Sequence, residues 1–126
     1  AGLDPEERIR FRGILSGLSR QRLVLLSTHI VSDLEAAASE IILLKKGVVL
    51  DIKTSTELLE QLNGKVWSVT VPDVEETEWT KTYPCSNVMC QRGNSILRLI
   101  SDRKPHPSAI SVPPNMEDMY LKYLGK

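Results

Sequence analysis

Residues 22–47 have the sequence RLVLLSTHIVSDLEAAASEIILLKKG, in which two apolar runs flank a helix signal. The first run, residues 22–28, is short and continuous, which is typical of a strand covered on both faces in a parallel sheet. Ser32 and Glu35 form a capping box that opens a short helix. Residues 41–44 are the second apolar run and are predicted to form another strand. Strand, helix and strand in this order indicate an α/β fold.

The segments on either side of this stretch have clear helix and turn signals. Asp4 is a good N-cap residue and Pro5 suits the first helical position, so a helix is predicted to follow. Its apolar face comprises Phe11, Ile14, Leu15 and Leu18. On the other side, Gly47 can take the positive φ of a tight turn. Residues 48–53 are therefore predicted to return as an antiparallel partner of the second strand.

The pattern of the sequence changes near Gly64. Before it, a helix capped by Thr54 or Ser55 is predicted to end at Asn63-Gly64. After it, the predicted elements are mainly strands, at 67–71, 87–92, 95–101 and 109–112, followed by a last helix capped by Asn115. We therefore predict two domains, 1–64 and 65–126. The expected core of the second domain comprises Trp67, Leu97, Leu99 and Tyr120.

The composition is that of an ordinary globular domain, with 41% hydrophobic and 25% charged residues. Sixteen Lys and Arg residues balance sixteen Asp and Glu residues, so no nucleic-acid partner is expected. The apolar runs fall far short of the roughly 18 residues that span a bilayer, and neither a transmembrane helix nor a signal peptide is expected. Two cysteines support neither a disulfide framework nor a zinc site, and a reducing cytosol is the default environment.

His29 is the best single candidate for a functional residue. It follows the carboxyl end of the predicted buried strand, where open α/β sheets place their ligand-contacting loops. A loop histidine bonded to a nearby carbonyl explains the position equally well. Asp33 could share a face with His29, but a helix-capping role is favoured for it. One histidine and one aspartate are too few for a metal site, and none is predicted.

The other polar candidates have ordinary structural interpretations. His106 is predicted to be an exposed loop residue, and Cys85 and Cys90 to be small apolar residues of strands. The acidic cluster of Glu75, Glu76 and Glu78 is interpreted as a solvated face. Neither the P-loop pattern GxxxxGK[ST] nor a nucleophile elbow occurs in the sequence.

Three segments together closely resemble the ATPase subunits of ATP-binding-cassette (ABC) transporters. They are AGLDPEER at 1–8, LSTHIVSDLEAAASEIILLKKG at 26–47 and VPPNMEDMYLKYLG at 112–125. The strong part of the resemblance covers 1–64, and the ending MEDMYLKYLG is similar to the tail of export-type members that handle drugs, antibiotics or peptides. The resemblance implies the C-terminal part of a P-loop-type nucleotide-binding domain, followed by a small α+β accessory domain.

The resemblance also implies functional roles for two motifs. In the family, AGLD is the D-loop at the interface of two nucleotide-binding domains, and the histidine of STH is the switch histidine that contacts the γ-phosphate of ATP. By this match His29 is the switch histidine, and the D-loop residues are Ala1, Gly2, Leu3 and Asp4. The implied cofactors are ATP and Mg²⁺. The implied partners are a second ABC ATPase domain and transmembrane permease subunits, which would hold the protein at the cytoplasmic face of the membrane.

The family's P-loop lysine, Q-loop, signature and Walker B acids all precede the D-loop. We therefore expect this chain to be the C-terminal part of a longer ATPase and to be inactive by itself, because phosphoryl transfer needs a phosphate cradle and a carboxylate-held Mg²⁺. The string LSGLSRQ at 15–21 is similar to the family's signature, but it follows the D-loop, and we interpret it as an ordinary helix end.

Two further expectations follow from this interpretation. The alternative function is a non-catalytic regulatory or interaction module that keeps the fold without the chemistry. The strand at 22–28 would also lack the neighbours that it has in the resembled fold. Its unpaired backbone groups predict that the chain self-associates through 1–64.

Overall fold

The computed structural model describes residues 4–27 and 38–125. Contacts divide the chain into two compact units, Ala1–Ser55 and Thr56–Lys126. The described helices are α1 (Pro5–Ser19), α2 (Ser55–Glu60), α3 (Glu76–Thr82) and α4 (Met116–Leu124), with a 3₁₀ turn at Asp73–Glu75. The described strands are β1 (Ile41–Lys45), β2 (Val48–Lys53), β3 (Val66–Pro72), β4 (Cys85–Gln91), β5 (Asn94–Ile100) and β6 (Ile110–Ser111). The fold is mixed α/β, and every strand pair among the described residues is antiparallel.

Helix α1 begins where the sequence predicts. The Asp4 side chain accepts a hydrogen bond from the Glu7 backbone N–H at 2.8 Å, which satisfies one of the unpaired donors of the first turn. No residue of the helix is buried; Phe11, Ile14 and Leu18 are exposed, and Leu15 is half-buried. None of the helices in the described part of the chain is both long and apolar enough to span a membrane.

Strands β1 and β2 form a two-stranded antiparallel sheet, which confirms the predicted hairpin. Lys46 and Gly47 make the connecting turn, with φ values of 51° and 78°. Two consecutive positive φ angles match the right-handed twist of the strands, and glycine adopts such a φ without steric cost. Ile41 and Leu43 of β1 are buried, whereas β2 contains no buried residue.

The prediction of a buried strand at 22–28 is wrong for the residues that the structure describes. Residues 23–27 belong to no strand, and Leu23 and Leu25 are 98% and 86% exposed. A strand requires a hydrogen-bonded neighbour, and no described strand pairs with this segment. The parallel sheet expected there is therefore not observed in 4–27 and 38–125. The helix predicted to start at Ser32 lies outside the described residues.

The second unit contains a four-stranded sheet in the order β4-β5-β3-β6. The predicted alternation along β3 is confirmed at Val69 and Val71, which are buried, while Trp67 is half-buried and donates its indole N–H to the Ser101 carbonyl at 3.0 Å. The β4-β5 hairpin is also confirmed, but its turn lies at Arg92-Gly93, one residue earlier than predicted. The core of the sheet comprises Val69, Val71, Leu97, Leu99 and Ala109.

Helix α4 is confirmed with a complete capping box. The Asn115 side chain accepts from the Asp118 backbone N–H at 3.0 Å, and the Asp118 carboxylate accepts from the Asn115 backbone N–H at 2.8 Å. Met116 and Met119 are fully buried, as their spacing predicts. The expectation that Tyr120 belongs to the core is wrong, because its side chain is 41% exposed.

All of helix α2 except Ser55 belongs to the second unit, although the helix precedes Gly64. Its Leu58 and the following Leu62 are fully buried, and the Tyr123 hydroxyl of α4 donates a hydrogen bond to the Gln61 side chain. The contact-based division accordingly lies between Ser55 and Thr56, whereas the sequence-based boundary lies at Gly64. Gly64 itself has a φ of 78°, so it provides the turn that leads into β3.

A buried ion pair attaches α4 to the sheet. Arg98 Nη2 lies 2.7 Å from Asp118 Oδ2, and Arg98 Nε lies 3.1 Å from both carboxylate oxygens. Ser86 Oγ donates to Asp118 Oδ1 at 2.5 Å. Asp118 is completely buried. The capping box and the ion pair therefore share one carboxylate, which links β5, β4 and α4.

We predict that Asp118→Ala lowers the free energy of unfolding by about 3–5 kcal/mol, because it leaves the mostly buried Arg98 guanidinium without its counter-charge. Urea denaturation followed by tryptophan fluorescence measures this change. Asp102→Ala is the matched control, since Asp102 pairs with Lys65 at 3.6 Å between exposed side chains, and its loss should cost less than about 1 kcal/mol. Equal losses in the two variants would contradict a structural role for the buried pair.

Candidate functional site

The residues predicted to carry chemistry lie mostly outside the described part of the chain. Ala1, Gly2, Leu3 and His29 are not among the described residues. Asp4 is described, and its exposed carboxylate is occupied by the cap of α1. The structure therefore gives a geometry for one member of the predicted site, and the other members lie outside the described residues.

A polar cluster that the sequence did not indicate surrounds Ser95. This serine is completely buried on β5, and its Oγ lies 2.9 Å from Asp73 Oδ1 and 2.6 Å from Glu76 Oε2. A hydroxyl has one proton, so it donates to one of these carboxylates at a time. Because Ser95 is shielded from solvent, it cannot reach a substrate as a nucleophile. The cluster instead holds the start of α3 against β5.

This cluster corrects the interpretation of the acidic residues as a solvated face. Glu76 is half-buried and bonded to Ser95, while Glu75 and Glu78 are exposed. Helix α3 itself was not predicted, since the strand signals on both sides dominate the local pattern. Ser95 and Glu76 are 19 residues apart in the sequence. Neither the helix period nor the strand period predicts a contact at that separation.

His106 is an exposed loop residue, as predicted. Its Nδ1 accepts from the Ser108 backbone N–H at 3.1 Å and lies 2.7 Å from Ser108 Oγ. The imidazole also meets Trp79 edge-on at 6.2 Å between ring centres, and Trp79 stacks on Tyr83 at 5.6 Å. In a nucleophile and base pair, the base is oriented by a third group through its other nitrogen. Here both serine contacts use Nδ1, so the arrangement is a local turn.

The two cysteines lie on β4 in different surroundings. Cys90 is exposed, whereas Cys85 is half-buried and packs against the core of the second unit. Burial raises the pKa of the Cys85 thiol, and the negative charge of Glu76 raises this pKa further. Cys85 therefore has less thiolate at neutral pH than a free cysteine. The environment favours the predicted packing role over a reactive one.

Few other features of the described residues suggest a binding site. In 4–27 and 38–125, no group of three or more His, Cys, Asp or Glu residues is arranged to hold a metal ion. A shallow, mainly apolar groove of about 240 Å³ is lined by Thr56, Leu59, Glu60, Asn63 and Pro114. Among these described lining residues only Glu60 is titratable, so they provide no acid and base pair.

Comparison of the chain with protein-family models, with curated proteins and with solved structures finds no match. A functional assignment consequently depends on the motifs and on the geometry of the described residues.

We predict that Cys90 reacts several-fold faster than Cys85 with a thiol-specific disulfide reagent near neutral pH. The raised pKa and partial burial of Cys85 both reduce the accessible thiolate. Stopped-flow absorbance should show two phases, and Cys90→Ser should remove the fast one. Cys85→Ser is the control and should remove only the slow phase. Loss of the fast phase in Cys85→Ser would reverse the assignment.

Proposed function

We propose that this chain is part of the ATP-binding subunit of an ABC transporter, which couples ATP binding and hydrolysis to transport through a membrane permease. The observation that carries the proposal is the occurrence of AGLD at 1–4 and STH at 27–29 in the order in which the family has its D-loop and switch histidine. The ending MEDMYLKYLG supports the export-type branch of the family. The proposed location is the cytoplasmic face of the membrane, through contact with the permease.

The geometry of Asp4 supports a D-loop role. Its backbone is extended, with φ −69° and ψ 168°, and its side chain is bonded to the first turn of α1. An N-cap fixes the direction in which the chain enters a helix. Under the proposal, Asp4 thereby sets the position of the D-loop relative to a rigid helix. A displacement of the loop by the second ATPase domain would then be transmitted to α1.

His29 would act on the phosphate end of ATP. An imidazole can donate a hydrogen bond to a γ-phosphate oxygen or hold the attacking water in line with the bond that breaks. Phosphoryl transfer also requires a lysine and backbone cradle for the phosphates and carboxylates that hold Mg²⁺. Under the proposal, other residues of a longer subunit supply these groups. ATP is then the substrate of the assembled ATPase, and this chain contributes one of its catalytic residues.

The first test is the coding sequence that precedes the codon for Ala1. The proposal predicts a strand that ends in Asp-Glu-Pro-Thr immediately before Ala1, and a P-loop further upstream. The two strings are the Walker B end and the phosphate cradle that the mechanism needs. Sequencing the genomic region measures this directly. A preceding open reading frame without either string would exclude the ATPase assignment.

The second test is His29→Ala in the full-length subunit. If the imidazole acts mainly in the transition state, kcat should fall by about 10² or more, while the Kd for ATP changes little. Steady-state phosphate release and equilibrium nucleotide binding separate the two effects. His106→Ala is the matched control and should keep the parent turnover, because His106 is exposed, its imidazole bonds Ser108 of the same turn, and its other contact is an edge-on packing against Trp79. Equal turnover of His29→Ala and the parent would assign His29 to a structural loop.

A non-catalytic regulatory or interaction module is the second candidate function. It is favoured by the second unit, where the Ser95 cluster and the buried ion pair of Asp118 each hold one structural element against another. The sequencing experiment above distinguishes the two candidates. An upstream region with neither Walker B acids nor a P-loop would favour the module.

A further inference from the structure

The β1-β2 hairpin has an exposed apolar face. The strand register places Ile42 opposite Ile52 and Leu44 opposite Val49, and these four side chains are 49–59% exposed. Two-stranded hairpins are marginally stable in water unless a further strand or a covering layer is added. In the described part of the chain this sheet has two strands only. The Ile52 backbone N–H donates to the Asp51 side chain at 2.9 Å, and no described strand pairs with the outer edge of β2.

Residues 23–27 are an apolar segment that pairs with no described strand. They have the sequence LVLLS, and they lie outside every described helix and strand. Leu23 and Leu25 are 98% and 86% exposed. In a strand, residues two apart share one face, so pairing of this segment would place both leucines on the same side of a sheet. The described residues thus include an apolar segment outside any strand and a strand edge that no described strand joins.

We propose that a second copy of this chain covers the hairpin, with residues 23–27 of each copy paired as an added strand to the edge of β2 in the other copy. The contact uses β2 because that strand contains no buried residue, while alternate residues of β1 are buried. The dimer contains two such contacts, which are related by a two-fold axis. In each contact, the backbone N–H and C=O groups of the segment in one copy pair with those at the edge of β2 in the other copy. The proposal does not depend on the ATPase assignment.

The exposed apolar area is sufficient for a stable dimer. Six large apolar side chains belong to this face and to the segment: Leu23, Leu25, Ile42, Leu44, Val49 and Ile52. With on the order of 100 Å² for each fully exposed side chain, their exposed fractions give roughly 400 Å² per copy. A standard interface buries about 800 Å² per partner, of which a little over half is apolar. The surface therefore matches the apolar part of one standard interface.

Sedimentation equilibrium of the 126-residue chain tests the proposal. The unmodified chain should dimerise at micromolar concentration, and Leu25→Asp and Ile52→Lys should each raise the dimer dissociation constant by about 100-fold or more. Val74→Asp is the matched control, since Val74 is 92% exposed in the second unit, and it should leave dimerisation unchanged. Circular dichroism should show the same secondary structure in all four proteins.

Mixing the two charged variants distinguishes pairing between copies from pairing within one chain. The Leu25→Asp protein keeps an intact β2 edge, and the Ile52→Lys protein keeps an intact segment. A mixture retains one unmodified contact and brings opposite charges to the other, so it should form heterodimers although each variant alone is monomeric. A monomeric parent chain, a dimer that survives Leu25→Asp, or two variants that fail to associate on mixing would each overturn the proposal. None of these outcomes bears on the sequences upstream of Ala1.

Discussion

The bidentate contact between Arg98 and Asp118 is the interaction on which the second unit depends. A carboxylate that is removed from water costs several kcal/mol unless opposite charge and hydrogen-bond donors compensate it. Asp118 is fully buried, and its donors come from the Arg98 guanidinium, the Ser86 hydroxyl and the Asn115 backbone. Arg98 Nη2 also donates to the Pro113 carbonyl at 2.6 Å. One negative charge thus determines the relative positions of two strands, the loop before α4 and the helix itself.

The same carboxylate explains how a short helix stays ordered. Helix α4 has nine residues, whereas an isolated helix in water needs about 12–15 residues to be even marginally stable. The capping box satisfies two N-terminal donors, and the burial of Met116 and Met119 adds apolar contact on either side of Asp118. Local capping and long-range charge pairing therefore reinforce each other, which is the consistency between levels that favours one native structure. The pattern of Asn115 and Asp118 three residues apart was available in the sequence, but the partner Arg98 was not.

Elements with a local chemical cause could be predicted, and elements that require a distant partner could not. Asp4 and Asn115 cap their helices as expected, and Gly47 takes the positive φ that its turn requires. The Ser95 cluster and the Arg98 ion pair join residues that are 19 to 22 positions apart, so periodicity carries no signal for them. The same limit applies to the candidate site. The sequence identified His29 by its place after an apolar run and by family resemblance, and that prediction concerns a residue outside the described part of the chain.

The segment 23–27 shows why an apolar run is not sufficient to make a strand. Its sequence has the composition of a buried strand, yet hydrogen bonds between strands form only where a second backbone is present. The large apolar side chains of the two units consequently differ in solvent exposure. In the second unit, Leu97 and Leu99 of β5 are completely buried in a cluster with Val69, Val71 and Ala109, against which Trp79 and Tyr83 pack. In the first unit, Leu23 and Leu25 remain in water at a cost of about 1.5–3 kcal/mol per side chain relative to burial. In the proposed dimer, pairing with β2 of a second copy recovers part of that free energy, because it covers Leu23 and Leu25 together with the exposed face of the hairpin.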